Sequence, residues 1–274
     1  MGATEQAARE DFDQGVRDRA EGRVDAARAA FLRAADSGHP DIGPMALANL
    51  AVLEAQAGRT AQARAAFERA IATGHRDHAP QSLFNYAILQ QRHGEPAHAR
   101  ALYRLAVDSG HPEHARKALL NLANLTAEEG DTDEACRLYL RAMEPPFLGD
   151  TAHRAHRRLV EVDPGRLAEG REVYLRALTD GDERTAAQAR ALLHDLDPGH
   201  LLPGEPVVLG AHSFDPADIE SAAWATGRRP AYSSGHLDVY THDGALHTVF
   251  LDLSDPYDRR GYEALRRLLG PGHL

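Results

Sequence analysis

An α-solenoid of helical hairpins, followed by a small α+β domain, is the fold class that this 274-residue sequence predicts. Three observations carry it. First, marker residues recur every 36 positions: Gly22, Gly58, Gly94 and Gly130; Phe31, Phe67, Tyr103 and Tyr139; Ala27, Ala63, Ala99 and Ala135; Ala34, Ala70, Ala106 and Ala142. Second, inside each unit two runs of helical apolar period flank the first glycine. Third, beyond about residue 200 the helical period gives way to alternation and turn signals. The expected domains are 1–199 and 200–274.

The elements follow in order. Hairpins are expected at 5–37, 42–73, 79–109 and 113–143. The small alanines let paired helices approach, and the aromatic fills the space between hairpins. A second glycine in Gly38-His39, Gly74-His75 and Gly110-His111 suits a left-handed cap ending each second helix. Pro44 and Pro80 suit the first turn of the next helix. Asp131 with Glu134 forms a capping box. Glu144-Pro145-Pro146 then breaks the register. A fifth unit follows with slipped spacing, Tyr174-Leu175-Arg176-Ala177 echoing Tyr139-Leu140-Arg141-Ala142, so that His156 takes the place of a recurring asparagine. A lone helix at about 183–196 caps the stack.

After the loop Leu201–Gly204 the expected order is β-α-β-β-α. Val207–Leu209 reads as a strand, and Asp215 opens a helix running from Pro216 to near Gly227. A hairpin turns at Asp243-Gly244. A last helix after Asp255 places Tyr262, Leu265, Leu268 and Leu269 on one face.

The repeat resembles the tetratricopeptide repeat. The match rests on Asn49, Leu50, Ala51, Gly58, Ala63, Phe67 and Ala70 and their equivalents one unit on. The unit is longer than that family's usual length of about 34 residues. Its Gly-His ending is closer to the related Sel-one-type repeat. The resemblance implies that first helices line an inner curve, with Asn49, Asn85 and Asn121 facing it. Amides there offer both donor and acceptor to a partner's backbone. Phe84, Leu120 and Ala48 are expected to supply an apolar floor, and Lys117 and His156 to join the peptide-binding set. Phe12, Val16, Ala48 and Val52 occupy the positions where some family members hold a terminal carboxylate with lysines.

Composition narrows the classes. A net charge of −10 disfavours general binding to nucleic acid or anionic membrane. A single lysine, Lys117, among 31 basic residues reads as the codon habit of a G+C-rich genome. The lone Cys136 excludes an internal disulfide and reads as a buried thiol. No secretion signal and no spanning apolar run are present, which points to the cytoplasm. The pairs His75/His78, His111/His114 and His153/His156 have helical spacing but no completing ligands, so no metal and no cofactor are expected. Nucleophile-elbow, phosphate-loop and zinc-protease motifs are absent. The expected function is non-enzymatic: an adaptor or scaffold holding a peptide or helix of another protein, with possible homodimerisation through the C-terminal domain. Two rivals stand beside it. One is an enzyme or small-molecule sensor built on Ser233, His236, Tyr240 and His242. The other is an immunity-type partner that neutralises a toxin.

Overall fold

The computed structural model describes residues 3–146, 150–196, 207–209, 212–225 and 234–270. The Leu201–Gly204 loop and Ser233 lie outside them, as does the end of the helix expected to reach Gly227. Two compact units divide the chain, Met1–Gly170 and Arg171–Leu274. The division falls within a helix, whereas the change of composition falls near 199/200.

The first unit is a stack of antiparallel helical pairs: α1 (Ala3–Ala20) with α2 (Val24–Asp36), α3 (Ile42–Gln56) with α4 (Thr60–Ala72), α5 (His78–Arg92) with α6 (Pro96–Asp108), and α7 (His114–Glu128) with α8 (Thr132–Met143). α9 (Thr151–Val162) and the start of α10 (Leu167–Asp180) follow. Each pair packs on the next. The odd-numbered helices also lie against one another, α1 on α3, α3 on α5, α5 on α7 and α7 on α9. The even-numbered helices have no comparable mutual packing among the described residues, so the odd helices form the inner wall.

The recurring residues have the work their types suggest. Ala27, Ala63, Ala99 and Ala135 have no exposed surface, and Phe31, Phe67, Tyr103 and Tyr139 are buried between hairpins. Phe67 stacks on Tyr86 of the next unit at 5.5 Å. Gly22, Gly58, Gly94 and Gly130 all have φ between 73° and 88°. The residue after each glycine donates its amide back to Asp18, Glu54, Gln90 or Thr126, at 2.8–3.2 Å, and the glycine's own amide donates to the carbonyl one residue further on. That double closure is the Schellman motif, and its left-handed residue is why glycine recurs. The four accepting residues form a buried polar column of their own. Glu54 in that column is held by Arg28 at 2.6 Å.

The second junction is built differently. The hydroxyls of Ser37, Thr73 and Ser109 donate to the carbonyls of Ala34, Ala70 and Ala106 and accept the amides of His39, His75 and His111. Each histidine Nδ1 then accepts two amides at the start of the next helix: Asp41 and Ile42, Asp77 and His78, Glu113 and His114, at 3.1–3.3 Å. These are donors that an unadorned helix start leaves open. Asp131 accepts the Glu134 amide at 3.1 Å, as its capping role requires. α8 ends before Pro145, and the Arg116 guanidinium donates to the carbonyls of Glu144 and Pro145 there.

The second unit contains the remainder of α10, α11 (Glu183–Leu196) and a small α+β assembly. β1 (Val207–Leu209) pairs antiparallel with β2 (His212–Phe214), and β3 (Ile219–Trp224), β4 (Ser234–Thr241) and β5 (Leu246–Asp252) form an antiparallel sheet in that order. α12 (Pro256–Leu269) packs on β1 and β5. Leu209, Trp224, Leu237, Leu251, Tyr262 and Leu265 are among its core residues.

The helix expected from Pro216 is absent. Asp215 does cap, accepting the Ala217 amide at 2.9 Å, but it caps a single 3-10 turn, Pro216–Asp218, before the chain extends as β3. The cause is a register shift between Ile219 and Ser221. It places Ile219, Ala222 and Trp224 inward, and the step of three at its start imitates helical spacing. β2 was not anticipated either. Leu268, expected on the buried face of α12, is 43% exposed, whereas Tyr262 and Leu265 are buried. The β4–β5 turn at Asp243-Gly244 is as expected, with Gly244 at φ 83°.

Candidate functional site

The inner wall is where the sequence places its recurring asparagines, and their surroundings differ from unit to unit. Asn49 is spent: its amide donates to the Met45 carbonyl at 2.9 Å and its oxygen accepts from Arg19 at 3.1 Å. Asn85 is half-buried, and its side chain makes no hydrogen bond among the described residues. Asn121 donates to the Tyr103 hydroxyl at 3.2 Å. Tyr103 in turn donates to Gln91 Oε1 at 3.0 Å.

The aromatic column explains the difference. Asn49 and Asn85 follow the phenylalanines Phe31 and Phe67, which offer no hydroxyl. Asn121 follows Tyr103, which does. One unit later the Tyr139 hydroxyl donates to Asn124 Oδ1 at 2.8 Å, and the same oxygen accepts from Arg158 at 3.2 Å. Burial pushes both phenols above their ordinary range, so they stay protonated.

The other expected site residues are less available. Leu120 and Ala48 are packed, at 2% and 3% exposed, so they do not make an open apolar floor. Phe84 is half-buried between Tyr103 and His114, with ring centroids 6.2 Å from each. Lys117 bonds Glu113 one turn away, and that bond is the main reason the Glu113 carboxyl is held below its usual range. His156 is fully enclosed, at 0% exposed, against the turn at Gly170. It occupies the asparagine position but is not offered to a partner. The reason is the slipped fifth unit, which brings Gly170, at the start of α10, against that position.

A cavity of about 640 Å³ opens on the inner wall. Ile88, Gln91 and Arg92 of α5 line it, with Tyr103 of α6, Leu120, Asn121, Asn124 and Glu128 of α7, and Arg154, Arg157 and Arg158 of α9. The Tyr103 and Tyr139 phenols brace its amides from below. Sequence reasoning missed its arginines. One signal was legible: Arg154, Arg157 and Arg158 follow the i, i+3, i+4 spacing of a single helix face. Arg92 gives no such signal, because stacking alone brings α5 toward α9.

Nothing in this cavity resembles a nucleophile with its base. Guanidinium groups are permanent donors that suit carboxylates, and amides suit backbone. Elsewhere the chemistry is also structural. Burial pushes the thiol of fully buried Cys136 up, the opposite of activation. The His75/His78 and His111/His114 rings pack at 4.7 Å, but His75 and His111 spend Nδ1 on helix caps and face Asp41 and Asp77 with Nε2 at 3.3 and 3.5 Å. Among the described residues no three His, Cys, Asp or Glu side chains are grouped to hold a metal ion.

A comparison with curated proteins finds no match. Among solved structures, the chain is similar to PilF of Pseudomonas aeruginosa, at 18% identity over 73% of this chain and 96% of that one, with a TM-score of 0.47. It is also similar to BtubC of P. vanneervenii, at 15% identity over 77% and 99%, with a TM-score of 0.48. The family model described as tetratricopeptide repeat matches residues 7–82 and 84–146. With half the chain matched, and glycine-closed helical pairs stacked across that span, the protein belongs to the tetratricopeptide-repeat family.

Proposed function

We propose that this protein is a non-catalytic adaptor that holds a segment of a partner protein along the inner wall formed by α5, α7 and α9. Tetratricopeptide repeats are protein–protein interaction scaffolds as a class. The observation that carries the finer reading is the 640 Å³ cavity on that wall, lined by amides and guanidiniums together with Ile88 and Tyr103. Asn85, with its amide unused, extends the polar rail one unit further. Such a surface bonds a partner's backbone and side chains without demanding one sequence. No described helix is long and apolar enough to cross a membrane, and we take the cytoplasm as the setting in which the partner is met.

The test is capture from native lysate by the full chain, compared with the combined variant Asn85→Ala, Gln91→Ala, Asn121→Ala, with folding checked by circular dichroism. The reading expects a partner enriched by the wild type and lost by the folded variant. A partner retained in full by that variant would move binding off the inner wall.

A further inference from the structure

The inner-wall cavity has a charge opposite to that of the molecule around it. Four of its lining residues are arginines and one is a glutamate, on a chain of net charge −10. Arg158 is committed, to Asn124 and to Glu161 at 2.8 Å. Arg92, Arg154 and Arg157 are not: all three are exposed and none makes an ion pair or side-chain hydrogen bond among the described residues. Elsewhere in the repeats arginines are routinely paired, often to the preceding unit, as Arg59 is to Asp25, Arg69 to Asp36 and Arg166 to Asp133. Three unpaired guanidiniums against the one lining carboxylate, Glu128, leave the cavity net positive, and a concave site focuses that field.

We propose that the inner-wall segment is acidic: a stretch of a partner protein whose clustered Asp or Glu side chains are held by Arg92, Arg154 and Arg157. This rests on the adaptor reading and adds the partner's chemistry to it. Carboxylates suit planar guanidiniums, which bind them through two parallel N–H bonds. The cavity holds only a few residues, and half-buried Ile88 gives it an apolar side, which fits a peptide. A long polyanion would meet the negative surface beyond the cavity, which disfavours nucleic acid. The three arginines come from α5 and α9, either side of α7, so the bound segment crosses α7 over Asn121 and Asn124.

The experiment is fluorescence anisotropy on the full chain with three labelled octapeptides: alternating Glu and Gly, alternating Gln and Gly, and alternating phosphoserine and Gly. The variants are Arg154→Gln with Arg157→Gln, and Arg104→Gln as a control. Arg104 is an exposed arginine of α6, outside the cavity lining. The Glu peptide is expected to bind saturably and to weaken with salt. The double variant should lose about tenfold or more in affinity, the control about threefold or less, and the Gln peptide should not bind. Equal binding of Gln and Glu peptides overturns the proposal. So does equal loss in the Arg104 control, binding of the phosphoserine peptide alone, or no binding of the Glu peptide. In the last case the lysate comparison separates the two ideas. A captured partner lost by the Asn85, Gln91, Asn121 variant keeps the adaptor reading and removes only its acidic ligand.

Discussion

His39, His75 and His111 each spend Nδ1 as the acceptor for two helix-start amides. Their neighbour His114 is the sensitive one. Burial, and next the His111 imidazole, push it below the ordinary histidine range. Its folded form therefore binds fewer protons than its unfolded form between the lowered value and about 6.5. Stability rises with pH through that interval and is lost as pH falls through it. The melting temperature is expected to drop between pH 7.5 and 5.5, and His114→Gln should flatten part of that slope. An unchanged slope in the variant contradicts the assignment. At this scale the sequence was half legible. The Gly-His column announced a structural junction, and the structure supplies its chemistry. The fates of Asn49, Asn85 and Asn121 were not read, because they depend on whether the aromatic of the preceding unit carries a hydroxyl.

At the scale of the element, α1 to α8 were legible because small, aromatic and glycine residues each recur at a fixed spacing, with a packing or backbone reason for each. β3 was not. Its bulge breaks strict alternation, and its alanines suit a helix as well as a strand. The strand assignment makes a sharp contrast between adjacent residues. Ala222 is buried and Ala223 is exposed. Ala222→Asp should destabilise the second unit by about 2 kcal/mol or more, since it buries an unpaired charge. Ala223→Asp should stay within about 0.5 kcal/mol. Trp224 follows Ala223 as the last residue of the strand, with its ring 5.4 Å from that of Tyr262, so its emission reports the difference. Equal effects from both substitutions contradict the register.

At the scale of the molecule, two compact units hold separate cores, and a single tryptophan marks the second. Phe67→Ala removes a fully buried ring from the repeats and should cost about 3–5 kcal/mol. Separate cores make that loss visible in the far-ultraviolet dichroism of the helices before it is visible in Trp224 emission. Coincident transitions of unchanged shape would contradict separate cores. The solenoid was legible in the sequence, whereas its basic cavity was not, because Arg92 and Arg157 meet only through the stacking of whole units. The proposed function rests on that assembled wall and on no local motif.

The most direct measurement of the central claim is photo-cross-linking in native lysate, with a cross-linking residue replacing Asn85 or Arg157 on the inner wall, or Arg104 on α6. The account predicts that positions 85 and 157 attach to the same partner protein and that position 104 does not. Attachment from position 104 alone, or in equal yield from all three, would contradict binding along the inner wall.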